Sequence, residues 1–235
     1  MCLELLYLSI YCLLIRGSYN AIPLLLNYHE SYSSFSFNRQ QYIVKNIIKS
    51  LILAVLTLKS GHLMSSVFFN TPLSNSYVKN FASLYVANDI VGLITLPKLP
   101  ASTKFHHTMT TILLFYNYTI DYTYVGEYSV AKLLIVLTCL SSYAFLVNMY
   151  LALRYLEYDG SEISAQKKQF NSMINILRVV AFYIYSCTVI FNLSYHAYDL
   201  FINPFTISKG IYLLLLAPII NDDFVLLGWL KNKNK

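Results

Sequence analysis

FASLYVANDIVGLITL (81–96) and KFHHTMTTILLFYNY (104–118) decide how this chain is read. Both stretches are apolar enough to belong in a bilayer. Yet the first carries Asp89, and the second opens on the adjacent pair His106 and His107. Ionisable groups inside a membrane are costly, and where they occur they face the protein interior or a polar cavity. These three residues are therefore the first candidates for a functional site.

The rest of the chain supports a membrane setting. Of 235 residues, 57% are hydrophobic and only 12% charged, about half the charged share of a soluble domain. The mean hydropathy is +0.51. Tyr (22) and Phe (14) are abundant, a bias that an AT-rich genome produces by itself. The four cysteines (Cys2, Cys12, Cys139, Cys187) lie in apolar surroundings without CxxC spacing, so neither a disulfide framework nor a zinc framework is expected. The net charge of +6 comes from basic residues that punctuate apolar segments. That is a topology signal, and no nucleic-acid partner is expected.

A spanning helix needs about 20 mostly apolar residues. Seven segments are candidates: roughly 2–15, 43–66, 81–97, 105–121, 129–153, 173–200 and 209–230. The first is short, ends at Arg16, and reads better as an anchor than as a signal-peptide core, because no small-x-small site follows it. The expected fold is thus all-α and polytopic, with six to seven transmembrane helices. Its units are an N-terminal anchor helix and loop (1–36) and one multi-span domain (37–235).

Charge gives the orientation. With the tail lysines (Lys231, Lys233, Lys235) in the cytosol, that side also collects Arg16, Arg39, Lys45, Lys49, Lys98, Lys104, Arg154, Lys167, Lys168 and Arg178. The other side keeps Lys59, Lys79, Lys132 and Lys209. The ratio of thirteen to four places the C-terminus in the cytosol.

The polar residues are then weighed singly. Asp89 lies nine residues before Lys98, roughly 13 Å below the cytosolic turn, whereas His106 and His107 sit at the edge of their span. That difference in level argues against contact, unless the stretch 98–107, with Pro97 and Pro100 at its start, dips into the membrane. His196 and Asp199 share a helix face and are expected to make a structural hydrogen bond. Asp222 and Asp223 interrupt the last span without a clear role. Asn148, Asn171, Asn175 and Arg178 suit interhelical hydrogen bonding. The five histidines (His29, His62, His106, His107, His196) are too few and scattered for the HxxHH-type boxes of membrane desaturases. Thr103 stands where an elongase box would need its first imidazole. No metal is expected.

In order and spacing, the motifs resemble the TLC domain family, which includes translocating-chain-associating membrane proteins and ceramide synthases. FNRQQYIVKNIIKSLILAVLTL is similar to the family's lead-in and first conserved span. LYVANDIVGLI resembles its aromatic-x-x-x-Asp segment, and KFHHTMTTILL its His-His segment. LTCLSSYAFLVNMYLAL and FNSMINILRVVAFYIY resemble the next two, and Asn221 and Phe224 fall where the family often shows Asn-x-x-Trp. The likeness covers about residues 37–230. The departures point to the broader branch of the family: the family's acid before Leu-Ser would fall near Cys139 and is missing, its common Arg would fall near Tyr185, and the synthases' downstream His-Asp is absent.

The resemblance implies helices arranged around a central cavity, with Asp89, His106, His107 and Asn148 binding a membrane lipid or acyl chain. The leading expectation is a protein of lipid homeostasis that binds, senses or transports such a lipid, in the endoplasmic reticulum or another endomembrane, with no cofactor. An alternative is a ceramide synthase-like N-acyltransferase, with acyl-CoA as substrate and His106 and His107 as catalytic residues; a neutral imidazole can take the proton of an amine or attack a thioester. The third is a structural subunit of a larger complex, for instance in an organelle inner membrane. An oligomer is compatible with all three.

Overall fold

The computed structural model describes residues 2–29, 31–96, 99–123, 130–158 and 164–232. Pro97, Lys98, Lys233 and Lys235, used above in the connection and charge arguments, fall outside that set. The described residues form helices and no strand. The elements are α1 (Cys2–Leu26), α2 (Phe37–Phe69), α3 (Asn75–Thr95), α4 (Ala101–Tyr118), α5 (Val130–Ser141), α6 (Phe145–Leu153), α7 (Ala165–Ile202) and α8 (Ile207–Lys231). Each expected segment meets a helix, with α5 and α6 together forming one. Five of the resulting rods are long and apolar enough to cross a membrane: α1, α2, the α5–α6 rod, α7 and α8. The other two, α3 and α4, carry the polar residues that set them below that apolarity.

Helix ends follow local chemistry. Ser74, Ser164 and Thr206 stand at N-caps, and their side chains accept from the backbone N–H of Tyr77, Lys167 and Lys209, satisfying donors that a helix start leaves open. Helix α2 closes on Asn70 in the left-handed conformation (φ 53°), whose N–H bonds back to Ser66 O; Asn is among the few residues that adopt it readily. At 33 and 38 residues, α2 and α7 are about 50 and 57 Å long at 1.5 Å per residue. Both outrun the ~30 Å hydrocarbon core.

Neighbour contacts close a circuit: α2 on α3, α3 on α4, α4 on α8, α8 on α7, α7 on α6, and α6 back on α2. Helix α1 lies outside it, packed mainly on α3, where Tyr11 hydrogen-bonds Asn80. Its outward face remains apolar, with Leu13 and Leu14 largely exposed, as a lipid-facing helix requires.

The α5–α6 rod is broken at mid-length by a tight 3₁₀ turn, Ser142–Ala144. Irregular backbone at membrane depth persists only where other groups satisfy it. Here α2 does so. Ser50 Oγ donates to Phe145 O at 2.8 Å, and Thr57 Oγ1 lies 3.0 Å from Ser142 Oγ.

Candidate functional site

The α3–α4 hairpin brings the sequence candidates together. Asp89 lies six residues before the end of α3 at Thr95, and His107 six residues after the start of α4 at Ala101. Each is therefore about 9 Å from its end of the connection, and the two are level. His107 Nδ1 sits 3.1 Å from Asp89 Oδ1. The expectation of different depths is thus corrected: α4 begins at Ala101 instead of 105, and α3 stops before Pro97, so both ends of the hairpin move. Neither imidazole faces lipid. His106 and His107 are 7% and 2% exposed, and Asp89 is fully buried.

Two lysines complete the group, and the sequence had assigned them to topology. Lys45 and Lys49 are one turn apart on α2, so they share a face, and both are buried. Lys49 Nζ pairs with Asp89 Oδ1 at 2.6 Å. Lys45 Nζ lies 2.9 Å from His107 Nε2. With the ammonium donating to Nε2, the ring proton belongs on Nδ1, facing Asp89. That approach is ionic in distance but out of line for a hydrogen bond. Thr110 Oγ1 donates to the other carboxylate oxygen at 3.2 Å. Room for the Lys45 stem comes from Gly92 on α3: a Cβ there would already stand 3.5 Å from Lys45 Cε.

The far wall is α8 with α7. His106 Nδ1 is 3.4 Å from Asp222 Oδ2, and Tyr185 OH donates to Asp223 Oδ1 at 2.5 Å. The two aspartates without an assigned role thus point inward. Tyr185 stands where the family resemblance would expect an Arg. Asn148 borders the same space, its amide N–H bonded to Ala144 O within its own helix.

These side chains line a polar chamber of about 60 Å³, with Tyr42, Tyr85, Ser141 and Trp229 among its other walls. An apolar cavity of about 30 Å³ lies beside it between α3, α4, α5 and α8, and the two share Tyr85 and Ser141 as walls. A third gap shares Ala82, Asn117, Leu134 and Thr138 with the second. At about 10–15 Å³ per enclosed water, the polar chamber holds a handful of waters or one small headgroup.

Ligand atoms of Asp89, His106 and His107 fall within 4.8 Å of one another, a spacing that a metal ion can bridge. A dication there would sit beside two ammonium groups that already engage Asp89 and His107. The donor set is accordingly read as an ion-pair network.

A second buried polar group lies on the α7–α8 hairpin. His196 and Asp199 do share a face but do not bond each other. His196 Nδ1 donates to Asn192 O at 2.7 Å, and Nε2 accepts from Tyr212 OH at 2.6 Å. Asp199 Oδ2 pairs with Lys209 at 2.6 Å. Of the expected interhelical contacts, Arg178 reaches Leu230 O at 2.8 Å, and Asn171 brackets the backbone of Tyr158. Comparison of the chain with protein-family models, with curated proteins and with solved structures finds no match.

Proposed function

We propose that this is a TLC-like multi-span membrane protein that holds a lipid or acyl chain inside a ring of helices and acts in lipid homeostasis by binding, sensing or transporting it. In this reading the circuit α2–α3–α4–α8–α7–α6 is the ring, α1 is its outer anchor, and six to seven helices span an endomembrane with the C-terminus in the cytosol. One observation supports it: a charged chamber shares the walls Tyr85 and Ser141 with an apolar gap, which in turn shares walls with a second. An amphiphile has that polarity profile. The small chamber favours a headgroup of a few atoms, such as an amine, hydroxyl or carbonyl, over a phosphodiester with its substituent.

The test is mass spectrometry of lipid that co-purifies with the full chain in a mild detergent. The expected result is a narrow set of single-chain species, depleted by Ala82→Leu, which narrows both apolar gaps. Bulk membrane lipid in the same proportions for both proteins would overturn the reading.

A second reading, N-acyl transfer, is favoured by the carboxylate 3.1 Å from His107 Nδ1, since a nearby negative charge favours the imidazolium that a general base becomes. It requires Lys45 to leave His107 Nε2 before that nitrogen can accept a substrate proton. Acyl-CoA consumption by the purified protein, compared with His106→Ala and His107→Ala, decides it. Equal background rates in all three remove the enzyme.

A further inference from the structure

Lys45 and Lys49 are neighbours on one helix face, but their partners differ in kind. Lys49 has a carboxylate at 2.6 Å. Lys45 has an imidazole nitrogen at 2.9 Å, and among the described residues no carboxylate forms an ion pair with it. An ammonium held on a carboxylate stays a structural cation. One held on an imidazole has a proton acceptor already in line. Behind that imidazole stands Asp89, 3.1 Å from the other ring nitrogen. Carboxylate, imidazole and amine thus stand in the order charge partner, base, attacking atom; the carboxylate acts on the imidazole by its charge, since its approach to Nδ1 is out of line for a hydrogen bond. Lys45 also faces empty space, because it lines the polar chamber.

We propose that Lys45 is a carbonyl-reactive amine that forms a Schiff base with a long-chain aliphatic aldehyde. The inference rests on the lipid-holding reading and names the ligand class. The aldehyde's head, one carbon and one oxygen, fits a chamber of about 60 Å³; the gap beyond Tyr85 and Ser141 is about 30 Å³ and seats only the first few methylenes, so the rest of the chain has to part the apolar walls between the helices. Lys45 passes a proton to His107 Nε2, and the freed amine attacks the carbonyl carbon. A proton then moves from nitrogen to the carbinolamine oxygen. His107 returns its proton to that hydroxyl, which leaves as water while C=N forms. The C–N bond made and the C–O bond broken balance with one water released, and no other reactant is needed. Reversal by water frees the amine, whereas a thioester would leave it blocked as an amide.

The experiment uses the full chain in detergent micelles with hexadecanal and sodium cyanoborohydride, read by peptide mass spectrometry. Lys45 is expected to gain the hexadecyl group at least ten times faster than the exposed lysines Lys59 and Lys104 in the same molecules. A smaller ratio overturns the proposal. His107→Gln is expected to lower the Lys45-to-Lys59 ratio at least tenfold, and an unchanged ratio removes the shuttle. Should that variant not fold, competition replaces it. Hexadecan-1-ol has the same chain but no carbonyl, and it protects Lys45 alone if the reaction occurs in the chamber. Equal protection of Lys59 overturns the site. Radiolabelled hexadecan-1-ol that binds without any Lys45 adduct would sink this inference and leave the lipid-holding reading intact. Absence of binding would remove both.

Discussion

Two buried charge groups can be set side by side: the chamber on α2, α3, α4 and α8, and the Asp199–Lys209 hairpin between α7 and α8. Both hold an aspartate–lysine pair at 2.6 Å and a nearby histidine. They differ in what surrounds them. None of the three cavities described touches Asp199, Lys209 or His196, whereas Lys45, Lys49, His106, His107 and Asp222 all border one. The hairpin pair also sits at the start of α8 and near the end of α7, where it fixes the turn between them. The same chemistry thus borders filled space in one region and open space in the other, and only the second is proposed as a site.

The largest expected effect breaks the hairpin pair. Removing one partner of a buried pair leaves an uncompensated charge and costs about 3–5 kcal/mol. Asp199→Asn should therefore lower the thermal midpoint in detergent by many degrees. Asp199→Leu combined with Lys209→Met should recover most of that loss, and bound lipid with it. The matching change in the chamber, Asp89→Leu with Lys49→Met, should likewise recover stability but lose the co-purifying lipid. Lipid retained at the wild-type level would erase the distinction between the two regions. Next in size is Tyr212→Phe. It takes the donor from His196 Nε2 and should cost about 1–3 kcal/mol, with no change in bound lipid species. Gly92→Ala should crowd the Lys45 stem, whose Cε would stand 3.5 Å from the new Cβ, read as slower hexadecanal labelling of Lys45.

The smallest effect lies outside both regions. Asp121 accepts from Asn75 and Thr123, and these bonds hold its carboxyl down from 3.8 to about 2. A carboxyl lowered on folding adds stability above its ordinary value and loses it as pH falls through the folded one. Asp121→Asn should therefore flatten a slight loss of thermal stability between pH 4 and pH 2, measured against wild type.

Much of this was legible in the chain. Seven apolar segments predicted seven helical rods because bilayer length and backbone satisfaction leave few options. Asp89, His106 and His107 were found because each interrupts an apolar stretch. Lys45 and Lys49 interrupt one too, in KNIIK, but basic residues near a span's end also serve topology, and that reading absorbed them. Their i, i+4 spacing inside an aliphatic run was the available signal. Without them and Lys209 the charge count behind the expected orientation is eleven against three. The depth of the histidines was misjudged because a helix start cannot be read to within a turn where a connection is polar. Asp222 and Asp223 could not be assigned, since which faces of α8 meet α4 and α7 is settled by packing.

The 3₁₀ turn in the α5–α6 rod has a consequence for what the interior can hold. Ser141, next to it, borders both the charged chamber and the first apolar gap. In the lipid-holding reading proposed above, the joint would be the doorpost between headgroup and tail compartments, with Ser50, hydrogen-bonded to Phe145 O, as its latch. Because Ser50 follows Lys49 directly on α2, a swing of that doorpost would be felt one residue away by the lysine that holds Asp89.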